Sequence, residues 1–246
     1  MDPLFLAWCA GTSFVAFLST STLGMGGALI LTPLLMVHLD PLQAVGVIAP
    51  AALVNTTLTA WVHRKALQGA PVGITAAAAV PLCLLGAWIA ADVPSWVIEA
   101  AIAATIALAL GVDRERQAKL GGGRLGAAVW GGIGGLAGGI AGTFGPPLAI
   151  SFLARGIVGA TFVGAMCVLG TTINAVRIPA YVTRGVIDPT LAPAIGVCVG
   201  SGVVAVFVGK RLLTRLDPTR FRSTLRIVLG LIGLTLVARV ARGVMG

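Results

Sequence analysis

Charge is scarce in this sequence. Asp, Glu, Lys and Arg together make up 10% of the 246 residues, and only 8 of them are acidic. A soluble domain carries about 25% charged residues, so this chain has too few to cover a surface that faces water. With 57% apolar residues and a mean hydropathy of +1.01, the composition excludes an ordinary soluble enzyme, a disordered protein and a secreted disulfide scaffold. It leaves an integral membrane protein.

The sequence also has few cysteines and lacks the groups of residues typical of catalytic sites. The four cysteines stand alone in apolar stretches, without paired spacing or a nearby histidine: Cys9, Cys83, Cys167 and Cys198. They are predicted to be small buried residues rather than metal ligands or disulfide partners. No Ser/His/Asp set, metal-ligand cluster or paired carboxylate occurs, which disfavours an intramembrane enzyme and predicts no cofactor.

Strand-like alternation is also missing, so the long apolar runs predict an all-α, polytopic transmembrane helical bundle. Two long units are interrupted by glycine, at Leu4–Leu39 and Leu125–Gly156. Each is followed by three apolar segments of spanning length, predicted at Pro41–Val62, Pro71–Ala91, Pro94–Val112, Gly159–Val182, Pro189–Gly209 and Arg222–Val240.

The two halves repeat this order of elements. A shift of 118 residues aligns Gly24 with Gly142 and Gly27 with Gly145. The sequence therefore predicts a duplication, with repeat 1 at residues 1–112, a cytoplasmic linker at 113–124 and repeat 2 at 125–246. Each repeat is predicted to be a broken hairpin plus three transmembrane helices.

The distribution of basic residues indicates that the repeat is inverted. If each broken unit crosses the membrane once, the basic residues divide 9 against 7 between the two faces. If each broken unit enters the membrane and returns to the same face, 13 basic residues lie on the cytoplasmic face: Arg64, Lys65, Arg114, Arg116, Lys119, Arg124, Arg155, Lys210, Arg211, Arg215, Arg220, Arg222 and Arg226. Only three then lie outside, namely Arg184, Arg239 and Arg242. The positive-inside rule favours the second arrangement, which has an odd number of crossings per half. The net charge of +9 is then a topology signal, and no nucleic-acid partner is predicted.

Glycine, with 34 residues, has two predicted uses. The run from Gly131 to Gly139 contains glycines every four residues, the small-xxx-small pattern of close helix packing in lipid. Gly132 to Ala137 also matches a dinucleotide-binding pattern, but no strand precedes it as that motif requires.

The second use is helix breaking. A helix broken inside a bilayer leaves N–H groups that attract anions at the start of the returning half-helix. Two segments have this composition and are predicted to bind substrate: Gly24, Met25, Gly26, Gly27 and Gly142, Thr143, Phe144, Gly145. The alternative is a flexible packing site without a ligand.

Polar residues in the middle of apolar helices complete the candidate site. Asn55 and Thr56 correspond approximately to Thr171 and Asn174 in the second half. They line a central site or form hydrogen bonds between helices. Arg177 lies one turn beyond Asn174, and an intramembrane arginine suits an oxyanion. The alternative to anion binding is that the Arg177 side chain extends to the membrane interface beside Tyr181 and Arg184.

Glu99 is the one acidic residue predicted to lie within a span, where it is a candidate for proton coupling.

At these residues the sequence resembles the TauE/SafE family of sulfite exporters and anion permeases. The resemblance rests on Gly24-Met25-Gly26-Gly27 before Pro33, on its counterpart from Gly142 to Pro147, and on the segments 44–55 and 161–174 that follow them. It covers nearly the whole chain. It implies a multi-pass permease of the bacterial cytoplasmic membrane, with the lipid bilayer and a small sulfur-containing anion as partners.

Export by alternating access is the predicted mechanism. An anion channel and a non-transporting accessory subunit are the alternatives. The exact substrate, the coupling ion and the oligomeric state are left open.

Overall fold

Every regular element in the part of the chain that the structure describes is a helix. This computed structural model describes residues 2–67, 72–111, 122–212, 229–230 and 233–237. The α-helices of these ranges are α1 Pro3–Leu23, α2 Gly27–Leu35, α3 Pro41–Val62, α4 Gly73–Ile89, α5 Ser95–Gly111, α6 Gly123–Ala141, α7 Gly145–Leu153, α8 Gly159–Thr183 and α9 Ala192–Leu212. Short 3-10 helices follow α3 at Arg64–Leu67 and precede α9 at Pro189–Leu191. The predicted all-α fold is confirmed.

Within the described residues, four helical segments are long and apolar enough to cross a membrane. They are α1, α3, α8 and the segment Pro189–Arg211, which contains most of α9. The apolar helices α4 and α5 have 17 residues each, which at 1.5 Å per residue gives about 26 Å, slightly less than a typical hydrocarbon core. The chain is therefore a multi-pass helical membrane protein.

Helices α1 and α2 form a hairpin. A Cβ added at Gly27, the first residue of α2, would lie 3.3 Å from the ring of Phe17. Near the other end of α2, the indole N–H of Trp8 donates to the Leu34 carbonyl oxygen at 3.0 Å. Because successive residues of α2 meet successively earlier residues of α1, α2 runs back along α1.

Helices α6 and α7 form a second hairpin of the same kind. A Cβ added at Gly138 would lie 3.1 Å from the Phe144 Cβ, just before α7 begins. One added at Gly134, one turn earlier in α6, would lie 2.8 Å from the Leu148 side chain of α7. The glycines on this face of α6 allow α7 to return in close contact.

Another glycine row on α6 packs against α4. Gly131, Gly135 and Gly139 meet in turn the backbone of Thr75, Ala79 and Cys83. A Cβ added at Gly131 would lie 2.7 Å from the Thr75 carbonyl oxygen, closer than carbon and oxygen approach without a bond. The predicted small-residue packing is confirmed, and the order of the contacts shows that α4 and α6 run parallel.

Helix α9 packs on α1 in the same parallel way. Gly202 faces the Phe17 ring at 3.1 Å, and Gly209 faces the Ser21 Cβ at 3.0 Å, both measured from an added Cβ. The central pair, α3 and α8, runs antiparallel instead, because Gly170 of α8 contacts Thr56 and the earlier Gly164 contacts His63. Helix α4 of the first half thus packs on the second hairpin, and helix α9 of the second half packs on the first hairpin.

Most of the observed bounds differ from the predicted ones by one to three residues. The second broken unit begins at Gly123 rather than Leu125, so Arg124 of the predicted linker belongs to α6. Helix α9 begins at Ala192, because a 3-10 turn starting at Pro189 precedes it. Most of the predicted linker and most of the predicted helix Arg222–Val240 lie outside the described residues.

Candidate functional site

The first break lies between α1 and α2. Gly24 ends α1 with φ +78° and donates its N–H to the Thr20 carbonyl oxygen at 2.8 Å. Gly26 follows with φ +107°. Residues other than glycine rarely adopt these positive angles, so both glycines are needed for the chain to reverse within three residues.

Hydroxyl groups from α1 hold this break. The Ser19 hydroxyl donates to the Met25 carbonyl oxygen at 3.0 Å, and the Thr20 hydroxyl accepts from the Gly27 N–H at 3.0 Å. The first backbone hydrogen bond of α2 runs from the Ile30 N–H to the Gly26 carbonyl oxygen. The N–H groups of Ala28 and Leu29 therefore remain without an intrahelical acceptor, as first-turn donors do.

The second break lies between α6 and α7. Gly142 ends α6 with φ +74°, and its N–H donates to the Gly138 carbonyl oxygen at 3.1 Å. Thr143 and Phe144 complete the turn with no further positive φ. Helix α7 then starts at Gly145 and continues with Pro146 and Pro147, which have no N–H to offer.

Arg177 and Tyr181 of α8 hold this second break. Arg177 is completely buried, and its Nη1 donates to the Gly138 carbonyl oxygen at 2.9 Å. The Tyr181 hydroxyl donates to the Gly139 carbonyl oxygen. The guanidinium carbon lies 5.6 Å from the centre of the Tyr181 ring. Since Arg177 has no exposed surface, its extension to the membrane interface is ruled out. Its Nε and Nη2 have no partner within the described residues.

The two breaks meet in the middle of the molecule. A Cβ added at Gly145 would lie 3.2 Å from the Met25 Cβ. Between the breaks is a cavity of about 30 Å³ lined by Phe17, Thr20, Gly24, Met25, Gly26, Gly27, Ala28, Leu29, Ala52, Thr56, Gly142, Thr143, Phe144, Gly145 and Met166. A water molecule needs roughly 10–15 Å³ on this measure, so the cavity holds about two waters and is too small for a four-atom oxyanion without widening.

Nine residues predicted for the site line this one cavity: Gly24, Met25, Gly26, Gly27, Thr56, Gly142, Thr143, Phe144 and Gly145. The wall is mainly apolar. Its polar side chains are hydroxyls, and the Thr143 hydroxyl, 1% exposed, has no partner among the residues that the structure describes.

The other four predicted residues lie outside the cavity lining. Asn55 donates to the Gly202 carbonyl oxygen at 3.2 Å and thereby joins α3 to α9. Thr171 donates to the Thr56 hydroxyl at 3.2 Å and joins α8 to α3. Asn174 donates to the Gly170 carbonyl oxygen of its own helix. Arg177 lies behind the cavity wall, with Nη1 2.7 Å from a Cβ added at Gly142.

Sequence reasoning missed six lining residues: Phe17, Thr20, Ala28, Leu29, Ala52 and Met166. Ala28 and Leu29 directly follow the first glycine break, and Thr20 lies one turn before it, so proximity to the break is a usable signal. Phe17, Ala52 and Met166 carry none, because apolar residues inside apolar helices look alike in the sequence.

Glu99 is separate from this cavity. It lies in the first turns of α5 and lines an open groove of about 710 Å³ with His38, Asp40, Gln43 and Trp96. The rings of Phe5 and Trp8 contact His38 edge-on, each at 5.7 Å between centroids. The groove thus lies at the end of the molecule where α1, α3 and α5 begin.

The architecture defines an all-helical, multi-pass membrane protein with two glycine-broken hairpins that enclose a small internal cavity. The family model described as "Sulfite exporter TauE/SafE" matches residues 9–236. The chain therefore belongs to the TauE/SafE sulfite exporter family, and the resemblance inferred from the glycine breaks is confirmed. In comparisons with curated proteins and with solved structures, nothing matches the chain.

Proposed function

We propose that this chain is a permease of the bacterial cytoplasmic membrane that exports sulfite or a related small sulfur-containing anion. The observation that carries the proposal is the meeting of two broken hairpins at one internal cavity. The first turn of α2 contributes uncommitted N–H groups to this cavity, and such groups attract anions. Membership of a sulfite exporter family supports the substrate class.

We further propose that the halves are inverted repeats. The shift of 118 residues relates the starts of α2 and α7 at Gly27 and Gly145, and the starts of α3 and α8 at Pro41 and Gly159. The equivalent helices α3 and α8 pack antiparallel, which supports opposite orientations for the halves. Parallel repeats would place them in the same direction.

Charge supports the orientation. With the helix directions given above, basic residues collect at the end where α3 and α9 finish: Arg64, Lys65, Arg124, Arg155, Lys210 and Arg211. Burial, together with the charge of Lys210, lowers the pKa of His63 below its usual range, as expected if the ends of α3 and α9 are neighbours. The positive-inside rule assigns this end to the cytoplasm.

The opposite end is acidic. The described carboxylates all lie there, at Asp2, Asp40, Asp92, Glu99 and Asp188, accompanied by Arg184, which pairs with Asp92. A basic cytoplasmic face concentrates anions at the entrance. An inside-negative membrane potential favours their exit by about 2.3 kcal/mol per charge per 100 mV. Both effects favour export over uptake.

Alternating access fits a cavity that is this narrow. At about 30 Å³, it is far smaller than an open anion pathway, so the hairpins and the helices around them have to separate toward one face and then the other. Paired hairpins at a repeat interface are a plan that transporters use for this rocking motion.

Reconstitution of the purified protein in proteoliposomes tests the function. Sulfite efflux that saturates and is accelerated by sulfite on the opposite side is the expected result for a carrier. Conductance at channel rates supports the channel alternative, and no flux of any sulfur-containing anion supports an accessory subunit. Either result would overturn the proposal.

Single cysteines test the topology, because the two arrangements place Lys65 and Lys210 differently. A membrane-impermeant thiol reagent added from the cytoplasmic side is expected to label Lys65→Cys and Lys210→Cys. Added from outside, it is expected to label His38→Cys. Labelling of the two lysine positions from opposite sides would contradict the inverted repeat.

A further inference from the structure

The two breaks offer different numbers of hydrogen-bond donors to the cavity. Ala28 and Leu29 at the start of α2 both have N–H groups without an intrahelical acceptor. The residues 118 positions later are Pro146 and Pro147, which have none. Gly145 is then the one backbone donor within the first three residues of α7, since the first helical bond there is already made by Leu148 to Phe144.

A side chain of the second break points to a ligand independently. The Thr143 hydroxyl lines the cavity, is 1% exposed and has no partner in the described part of the chain. Burying a hydroxyl without a partner is unfavourable. An acceptor bound between the breaks would satisfy it together with the N–H groups of α2.

We propose that the anion is bound asymmetrically, by the N–H groups of Ala28 and Leu29 from the first break and by the Thr143 hydroxyl from the second. The second break otherwise contributes a wall, in which the Phe144 ring lies 3.2 Å from a Cβ added at Gly170. The residue 118 positions before Phe144 is Gly26, which has no side chain. This inference rests on the proposed function and assigns its binding contacts.

A substitution at Thr32 provides the matched control for removing the Thr143 hydroxyl. Thr32 is also fully buried, and its hydroxyl has no partner in the described ranges, but it does not line the cavity. Replacing threonine by valine keeps the shape and removes the hydroxyl. In counterflow with radiolabelled sulfite, Thr143→Val is expected to raise KM about tenfold or more, the loss of one hydrogen bond to a charged group. Thr32→Val is expected to leave KM unchanged.

The role of the backbone donors is tested by two opposite substitutions, one at each break. Ala28→Pro removes one N–H from the first turn of α2, where proline is tolerated and where the second break already has it. This change is expected to raise the KM for sulfite about tenfold. Pro146→Ala adds an N–H to the second break and is expected to leave KM unchanged or lower it.

The outcomes separate this inference from the function on which it rests. If the unmodified protein neither transports sulfite nor is stabilised by it against heat, the proposed function fails. If the unmodified protein transports sulfite but Thr143→Val and Ala28→Pro keep its KM, the asymmetric site is wrong. Circular dichroism and the thermal midpoint of each variant show whether a loss comes from unfolding. Should Ala28→Pro unfold, Thr143→Val against Thr32→Val still decides the question.

Discussion

The two breaks occupy equivalent positions but are stabilised by different chemistry. Hydroxyls of the preceding helix, Ser19 and Thr20, hold the first break. The residues 118 positions later are Ala137 and Gly138, which have no hydroxyl. The second break is held instead from α8, where Arg177 and Tyr181 bind the carbonyl oxygens at the end of α6.

The difference gives the two breaks distinct chemistry. The residue equivalent to Arg177 is Thr59, whose hydroxyl bonds the Ser21 hydroxyl at 3.3 Å. An arginine in this place gives the Gly138 carbonyl oxygen a second donor besides the Gly142 N–H and offsets the negative end of the α6 dipole. It also puts a permanent positive charge directly behind the Gly142 wall of the cavity. The first break supplies backbone donors, and the second supplies a hydroxyl, a nearby charge and the shape of the wall.

The largest expected effect on stability comes from a Cβ at the first break. In Gly24→Ala the Cβ would lie 2.9 Å from the Val163 Cα at φ +78°, so the strain of that backbone angle adds to a clash with rigid backbone. We expect a loss of about 3 kcal/mol. In Gly142→Ala the Cβ meets the end of the Arg177 side chain at φ +74°. A side chain can shift more easily than backbone, so the expected loss is smaller.

Thermal unfolding in detergent measures the difference, with Gly11→Ala as the control because nothing lies within 4 Å of its added Cβ. Equal midpoints for Gly24→Ala and Gly11→Ala would show that the first break does not need its left-handed glycine.

Arg177 is expected to have the next largest effect. Arg177→Met removes the charged hydrogen bond to the Gly138 carbonyl oxygen, which keeps only its bond from the Gly142 N–H, a loss of about 2 kcal/mol. It also removes the charge behind the cavity, which raises the KM for sulfite. Arg177→Lys keeps the charge and a donor, so its KM is expected to stay closer to that of the unmodified protein. Counterflow and thermal unfolding of both variants measure this. A KM equal in Met and Lys variants would contradict the electrostatic role.

Phe144 is expected to affect selectivity more than stability. Its side chain lines the cavity, so Phe144→Leu is expected to widen the cavity at a loss of about 1 kcal/mol. Competition of larger organic sulfonates against labelled sulfite is expected to increase. Phe152→Leu is the control, because Phe152 lies in the same apolar cluster as Phe144 but does not line the cavity. An identical competition profile in the two variants would show that Phe144 does not limit the size of the bound anion.

The sequence was sufficient to predict the breaks but not their surroundings. Gly24 and Gly142 stand out because glycine inside an apolar helix needs a reason, and their spacing predicted equivalent elements. Arg177 stood out as a charge, yet its contact is a backbone carbonyl 39 residues earlier, which no side-chain pattern encodes. Asn55 likewise reaches the Gly202 carbonyl oxygen, 147 residues away. Such contacts depend on how helices pack, and the packing rests on apolar and small residues with little individual signal.

A disulfide across the breaks tests the central claim, that the two hairpins meet and must separate for transport. The Met25 Cβ and a Cβ added at Gly145 lie 3.2 Å apart, close to the separation in disulfides. In a background with the four native cysteines replaced by alanine, Met25→Cys with Gly145→Cys is expected to cross-link on mild oxidation. Sulfite counterflow should then stop and return on reduction. Full transport activity in the cross-linked protein, or no cross-link in a folded protein, would contradict the account.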